Sequence, residues 1–143
     1  MMLRATFLIA LLLAFAGGCQ SDRKPRLSGT ITLDGAPLGD AEVQLIITPN
    51  NQPTAVSGGW TDATGKYEIR HVTPRTYRVA IRKFLHKDGT PYTRNEMIMI
   101  RPGSVKGLTA VVPAVYSDPK ESKLTVDVKD MKQVADFDLT SKP

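Results

Sequence analysis

The chain has 143 residues, of which 41% are hydrophobic and 23% charged, and its formal net charge at pH 7 is +5. Arg4 is the single charged residue among the first 18, so a mature chain without them keeps a net charge of +4. The remaining length suits one domain with one hydrophobic core. The basic residues are scattered rather than gathered in one stripe, so the composition does not indicate nucleic-acid binding.

The first 18 residues have the three parts of a secretory signal peptide. Arg4 supplies the positive charge, residues 5–16 form an apolar run, and small residues end the segment at Gly17 and Gly18. A membrane-spanning helix needs about 20 apolar residues, so this run is too short to span comfortably. We therefore expect residues 1–18 to be cleaved from an exported protein.

Cys19 is the only cysteine of the chain and directly follows this segment. The residues AGGC, 16–19, resemble the lipobox of bacterial lipoproteins. The resemblance implies a diacylglycerol thioether on Cys19, and further acylation, for example by palmitate, makes attachment to membrane lipid stable. Gln20 stands where an inner-membrane retention signal has Asp, so we expect the outer membrane if the cell has two. The alternative is an ordinary signal peptide with an incidental cysteine.

The segment that follows is a polar tether. Residues 19–26 comprise the lipidated cysteine and the run SDRKPR, whose cations are attracted to anionic head groups near a membrane. Residues 27–143 form the single domain.

From Leu27 onward the apolar residues alternate with polar ones, which is typical of strands. A first strand breaks at Asp34-Gly35, a dipeptide that suits a tight turn, and a second strand, AEVQLIIT, ends at Pro49. The run NNQPTAVSGG, residues 50–59, is predicted to be a loop, and a turn follows at residues 62–65.

Three later segments alternate in the same way. TYRVAIRKF (76–84) is predicted to be a half-exposed strand, and SKLTVDVKD (122–130) and VADFDLT (134–140) are predicted to be the last two strands. Nowhere in the mature chain does an apolar period of 3.6 residues persist over the length of a helix. The pattern predicts an all-β fold, an antiparallel β-sandwich.

Residues 84–116 are the least regular part. A long polar loop is followed by two apolar runs around residues 101–104, which predict either an extra hairpin or an extended lid over one sheet edge. Long loops in compact domains are uncommon unless they are functional. If the protein has a binding surface, we expect it here.

The motifs of the domain resemble those of the carboxypeptidase regulatory-like domain. The matching segments are GTI (29–31), DGAPL (34–38), AEV (41–43), TDATGKY (61–67) and PRTYRV (74–79). The tail, with VPAVY, SKLTVDV and FDL, is similar to that of a group of short bacterial lipoproteins of this class. The resemblance covers most of residues 27–140, except for a longer stretch at 97–109, and implies a seven-stranded transthyretin-like sandwich.

The turn residues of these motifs have a structural interpretation. Asp34, Gly35, Asp62 and Gly65 suit tight turns, in which a carboxylate accepts backbone N–H bonds and glycine takes a positive φ. A calcium loop needs several converging oxygen ligands, and TDATGK supplies one carboxylate. No metal and no cofactor is therefore expected.

Catalytic patterns are weak in this sequence. The transthyretin-like sandwiches that the motifs resemble include a hydrolase of purine breakdown, whose site needs paired histidines, an arginine and a C-terminal Tyr-Arg-Gly-Ser. This chain has only His71 and His86 and ends in DLTSKP. Neither histidine has a sequence partner that suggests a triad or a zinc site. An acylated Cys19 is not a nucleophile. We expect a protein that is not an enzyme.

Aromatic residues leave a second hypothesis open. Tyr67 and Tyr77 lie on apolar strand faces and are expected in the core, whereas Trp60 and Tyr92 are candidate ligand-binding residues because aromatic rings provide platforms for sugars. Two functions therefore remain, a structural or interaction module with an envelope protein as its partner, and a carbohydrate-binding module that binds an envelope glycan. The sequence does not indicate an oligomeric state.

Overall fold

A computed structural model describes residues 25–100 and 107–143. The predicted signal peptide, Cys19 and the first part of the tether lie outside these residues. The described residues form eleven strands and two short helices, which confirms the all-β class. The strands are β1 (Arg26–Leu33), β2 (Ala36–Pro37), β3 (Glu42–Ile47), β4 (Thr54–Trp60), β5 (Lys66–Arg70), β6 (Arg75–Arg82), β7 (Phe84–Leu85), β8 (Thr109–Ala110), β9 (Thr125–Val128), β10 (Lys132–Val134) and β11 (Phe137–Leu139).

Two sheets form a sandwich. One sheet has the order β4-β3-β6-β9 with every pair antiparallel, and the other is built on β1, which pairs antiparallel with β2 and β5. The alternating residues of both sheets meet in one core, in which Tyr67 and Tyr77 are buried as predicted. The largest fully buried side chains are Leu27, Ile31, Leu45, Ile46, Ile69, Ile81 and Leu139.

The C-terminal strands pair with β1 in parallel, which differs from the wholly antiparallel sandwich that the sequence predicts. β10 lies beside the first half of β1 and β11 beside the second half. Between them, Ala135 N–H donates to Ser28 O at 2.9 Å, and the Asp136 carboxylate accepts the Thr30 N–H at 2.7 Å. Local alternation is the same in parallel and antiparallel edge strands, so only the path of the whole chain decides the direction.

Residues 50–59 are not a loop throughout, so that prediction is wrong from Thr54 onward. A short 3₁₀ turn at Pro49–Asn51 leads into β4, an edge strand that pairs with β3 across a bulge between Leu45 and Ile46. The glycines that made this segment look irregular have a packing role. A Cβ on Gly59 would lie 2.9 Å from the Ile69 side chain of β5, so only glycine lets the two sheets approach there.

Strand β6 is less exposed than predicted, because a later segment covers its outer face. This segment contains the short helix α2 (Ala114–Ser117) and is fixed where the Arg78 guanidinium donates to Pro119 O at 3.1 Å. Ser122 is buried and donates to Val79 O. Ala80, on the face expected to meet water, is therefore fully buried. This cover comes from residues about 40 positions away, which local periodicity does not report.

The irregular region after β6 forms a small subdomain in its described part. β7 and β8 pair as a two-stranded ribbon, and between them lies helix α1 (Arg94–Met99), which the sequence did not predict. This ribbon is not the predicted hairpin, because the first of the two apolar runs contributes to α1 instead of a strand, and residues 101–106 lie outside the described residues. Met97 anchors α1 because its side chain is buried. Six residues are too few to show a helical period. No helix in the described ranges is long and apolar enough to cross a bilayer.

The strands run between two ends of the sandwich. The entry end comprises Pro25 with the loops 48–53, 71–74 and 129–131, and the far end comprises the turns 34–35 and 61–65 with residues 83–94. Eight residues of β1 separate them, a length of about 25 Å.

Candidate functional site

A cleft of about 260 Å³ opens at the far end, where the subdomain meets the sandwich. It brings together Trp60 and Tyr92, the two aromatic residues that the sequence singles out as possible ligand contacts. Trp60 ends strand β4, and Tyr92 lies just before helix α1. The residues that line the cleft are Asp40, Trp60, Thr61, Pro91, Tyr92, Thr93 and Arg94.

The sandwich side of the cleft is fixed by a buried threonine. Thr61 N–H donates to Ala41 O at 2.9 Å, and its Oγ1 accepts the Ala41 N–H at 2.9 Å. These two bonds hold the chain beside Trp60 against the loop before β3. In that loop Asp40 takes a positive φ of 53°, and Lys83 Nζ donates to Gly39 O at 2.6 Å. These bonds therefore fix the backbone on the sandwich side of the cleft.

The subdomain side is organised around the ring of Tyr92. Its N–H donates to Phe84 O at 3.0 Å, and its ring stacks on His86 with 3.8 Å between centroids and 13° between planes. His86 Nε2 lies 3.1 Å from Glu96 Oε1. One face of Tyr92 is thus covered by the imidazole, and the ring is held in one orientation.

Helix α1 starts with a capping box. Thr93 Oγ1 accepts the Glu96 N–H, and Glu96 Oε2 accepts both the N–H and the hydroxyl of Thr93 at 2.7 Å. These bonds from Thr93, with the nearby His86, hold the pKa of Glu96 below its ordinary value. Both carboxylate oxygens are therefore engaged in holding the subdomain together.

Arg94 completes the cleft by lying over the indole. Its guanidinium carbon is 5.7 Å from the Trp60 ring centroid, a cation–π arrangement. The cleft therefore offers aromatic surface, one exposed guanidinium and the exposed carboxylate of Asp40. Such a lining suits a small ligand with apolar faces and hydroxyl or acidic groups at its rim.

A second, larger hollow is also lined by Tyr92. It has a volume of about 530 Å³ and is lined by His86, Lys87, Asp88, Thr90, Tyr92 and Gly107. Asp88 accepts bonds from both the N–H and the hydroxyl of Thr90, so its carboxylate is engaged in the turn. Tyr92 therefore lines both hollows.

The turn residues singled out from the sequence lie apart from the cleft lining. Asp62 Oδ1 accepts the Thr64 N–H at 2.8 Å, the Thr64 hydroxyl at 2.7 Å and the Lys66 N–H at 3.1 Å, and these bonds, led by the hydroxyl, lower its pKa. Gly65 closes the turn with a φ of 77°. Oδ1 of this carboxylate is therefore engaged by its own turn.

The other turn has the same character. Asp34 and Gly35 take positive φ values of 52° and 81°, as a two-residue hairpin turn requires. Hydrogen bonds from Ser141, first from its side chain and then from its N–H at 2.9 Å, lower the pKa of Asp34 and tie the C-terminal residues to the turn.

The two histidines do not converge. His71 lies in an entry-end turn with a φ of 59°, whereas His86 lies in the subdomain at the far end. Among residues 25–100 and 107–143, no three His, Cys, Asp or Glu side chains are placed to hold a metal ion together.

Sequence reasoning missed the other five cleft residues, among them Asp40, Thr61 and Arg94. The Thr93-x-x-Glu96 pattern, a capping signature, was the available signal for α1 and hence for Arg94. Asp40 and Thr61 carry no such signal, because they approach the cleft only through the pairing of distant segments.

Comparison with known proteins gives no family. No family model and no curated protein matches the chain. Similar solved structures include a variant of BcpA, the major pilin subunit of Bacillus cereus (11% identity, TM-score 0.40), and a DUF3823 family protein from Bacteroides uniformis (10%, 0.43). A third is a 9R-lipoxygenase from Cyanothece (12%, 0.41). These matches cover 82%, 84% and 82% of this chain but only 29%, 43% and 16% of the other chains. At this level of similarity they give no indication of function.

Proposed function

We propose that this chain is an exported lipoprotein, held at the bacterial membrane through acylated Cys19, whose β-sandwich is a non-catalytic structural or interaction module of the cell envelope. The relation to carboxypeptidase regulatory-like domains, drawn from the motifs of residues 27–140, is part of this proposal, and so is the outer membrane as the location in a cell with two. The observation that supports a non-catalytic role is that polar groups at the far end form hydrogen bonds within turns and in the helix cap.

The His86–Glu96 pair illustrates this engagement. It is the arrangement nearest to an acid–base pair at the cleft, but Glu96 Oε2 caps α1 and Oε1 faces the imidazole. A general base needs a free oxygen or nitrogen within reach of a substrate proton. Because Glu96 is committed to the fold of the subdomain, we assign this pair a structural role.

The anchor is tested by intact mass and membrane fractionation of the expressed full chain beside a Cys19→Ser variant. We expect a mature wild-type mass that begins at Cys19 with added acyl groups, found in the membrane fraction, and loss of both in the variant. Ser21→Ala is the matched control and should remain acylated. An unmodified wild-type protein in the soluble fraction would refute the anchor.

A second candidate function is carbohydrate binding, and the shared cleft of Trp60 and Tyr92 favours it. Two aromatic side chains from distant parts of the chain, with a guanidinium and a carboxylate at the rim, match the lining of a small-ligand site. The partner in this case is a glycan of the cell envelope rather than a protein.

The test uses the fact that Trp60 is the only tryptophan of the chain, so selectively excited tryptophan fluorescence reports on the cleft. Titration with soluble envelope oligosaccharides should change this emission and saturate. Tyr92→Ala should raise the Kd about tenfold or more, because truncation of a central aromatic contact commonly costs that much. Tyr116→Ala, outside the cleft, should leave the Kd unchanged. Absence of a saturable change would exclude the tested sugars as ligands.

A further inference from the structure

The end of the sandwich at which the tether enters is a basic surface. Pro25 O accepts the Val72 N–H at 3.0 Å, and the Arg26 N–H donates to Met131 O at 3.0 Å. The chain therefore joins the domain between the loops 71–74 and 129–131. The candidate cleft lies at the opposite end of the sandwich.

The basic face consists of Arg26, Arg70, Arg75, Lys129 and Lys132. Arg26 and Arg70 both lie near the carboxylate of Glu68, at 3.7 Å and 2.6 Å. Arg70 and then Arg26 hold the pKa of Glu68 below its ordinary value, so that it stays ionised.

The remaining cations exceed the carboxylates near them. Lys129 Nζ pairs with Asp127 at 2.8 Å, and Asp130 follows in the same turn. Arg75 and Lys132 make no ion pair with a carboxylate in the part of the chain that the structure describes. The loop 48–53 at this end has no charged residue. Among the described residues, the carboxylates beside these five cations are those of Glu68, Asp127 and Asp130.

An apolar side chain projects among these cations. Met131 lies in the turn between Lys129 and Lys132, and 46% of its surface is exposed. Cations around an exposed apolar residue are typical of surfaces that rest in the head-group region of a membrane. The far end is mixed in charge, because its turns carry Asp34, Asp40, Asp62 and Asp88 and its residues 83–94 also carry Lys83, Lys87 and Arg94.

We propose that the basic face docks on anionic lipid head groups, with Met131 directed into the interface. This inference rests on the proposed anchor, since the tether delivers the domain to the membrane with this end first. Docking orients the sandwich upright and presents the Trp60–Tyr92 cleft about 25 Å from the docked face.

Vesicle binding of the mature chain, residues 19–143 with Cys19→Ser, tests the face without the acyl anchor. We expect cosedimentation with mixed phosphatidylglycerol–phosphatidylcholine vesicles, weakened by salt, and little with phosphatidylcholine alone. The double variant Arg75→Gln, Lys132→Gln should bind about 25-fold more weakly, because each basic residue near an anionic surface contributes about fivefold. Lys129→Gln gives a single-charge step of about fivefold.

The matched control is Lys66→Gln with Lys142→Gln, which removes the same charge outside the basic face. This variant should retain nearly full binding. Equal weakening by both double variants would show that net charge alone acts and would overturn the proposal, as would equal binding to anionic and neutral vesicles.

A second measurement uses the full lipidated protein in proteoliposomes. Hydrogen exchange of residues 129–132 should be slower on anionic than on neutral lipid, while residues 86–90 should not change. Failure of acylation refutes the anchor but leaves the vesicle result intact, so the two proposals fail separately. Unchanged exchange at residues 129–132 would refute docking even in an anchored protein.

Discussion

Replacement of Tyr67 by Phe tests the junction that locks the C-terminal strands to the sandwich. The Tyr67 side chain is buried, its ring stacks on Phe137 at 6.5 Å, and its hydroxyl donates to Ala135 O at 2.7 Å across 68 residues of sequence. The same carbonyl is packed against the backbone of Gly29. The substitution removes the hydroxyl and keeps the ring, so the change isolates the hydrogen bond.

The expected loss of unfolding free energy is about 1.5 kcal/mol, since a net hydrogen bond contributes about 1 kcal/mol and the carbonyl left without its donor adds to the cost. For a domain of about 120 residues this corresponds to a decrease in Tm of about 6 °C. Urea denaturation followed by circular dichroism gives the free energy, and calorimetry gives the Tm.

Tyr116→Phe is the matched control, because the Tyr116 hydroxyl lies 3.3 Å from Thr140 Oγ1 in an exposed contact. We expect this variant to lose less than about 0.5 kcal/mol. A Tyr67→Phe protein as stable as wild type, or equal losses in both variants, would refute the assignment of the junction to this bond.

Alkaline pH provides a second test of Tyr67. Burial, and then the nearby Asp136, raise the pKa of the Tyr67 phenol above its ordinary value of 10.0. The unfolded chain therefore loses this proton first as the pH rises, so the stabilisation is complete below pH 10 and falls above it. Tyr67→Phe should flatten the alkaline decrease in Tm, and an unchanged alkaline slope would contradict a raised pKa in the folded state.

Three further predictions concern single sites. Gly29→Ala should prevent β11 from docking, because the added Cβ would lie 1.8 Å from Ala135 O. Gly89→Ala meets open space and should cost only about 1 kcal/mol, because residue 89 has a positive φ. Denaturation curves of the two variants measure this difference. Asp62→Asn should reduce the loss of Tm on acidification. Hydrogen bonds lower the pKa of Asp62 in the folded protein, so the stabilisation from its carboxylate is present above pH 3.8 and lost below it. An unchanged acid profile of Tm would contradict this prediction. Thr61→Val should lower the unfolding free energy by about 1–2 kcal/mol, and Thr61→Ser should lower it much less, because only valine leaves the Ala41 N–H without its side-chain acceptor. Equal losses in the two variants would assign the effect to packing.

The position of the cleft has a consequence for either proposed function. Trp60 and Tyr92 lie at the far end, away from Pro25, where the tether enters. An anchored domain that stands on its entry end would therefore present the cleft to the surroundings rather than to the bilayer. A partner or glycan of the envelope would reach it without displacing the domain from the membrane.

The sequence by itself predicted the β class, the turns and most of the core, because side chains on a strand alternate between two faces and this period is written locally. Ile31, Val43, Val79 and Leu139 are buried where alternation indicates. Trp60 and Tyr92 were singled out from residue type alone.

Only the tertiary structure decided which segments meet. The parallel pairing of β1 with β11 and the cover over Ala80 depend on partners far away in the chain, and the strand at residues 54–60 depends on its pairing with β3. The cleft depends on them too, because Asp40 and Arg94 gain their role from the approach of two loops. Local sequence records the period of an element but not its neighbours, since the contacts that select neighbours form only when the whole core closes.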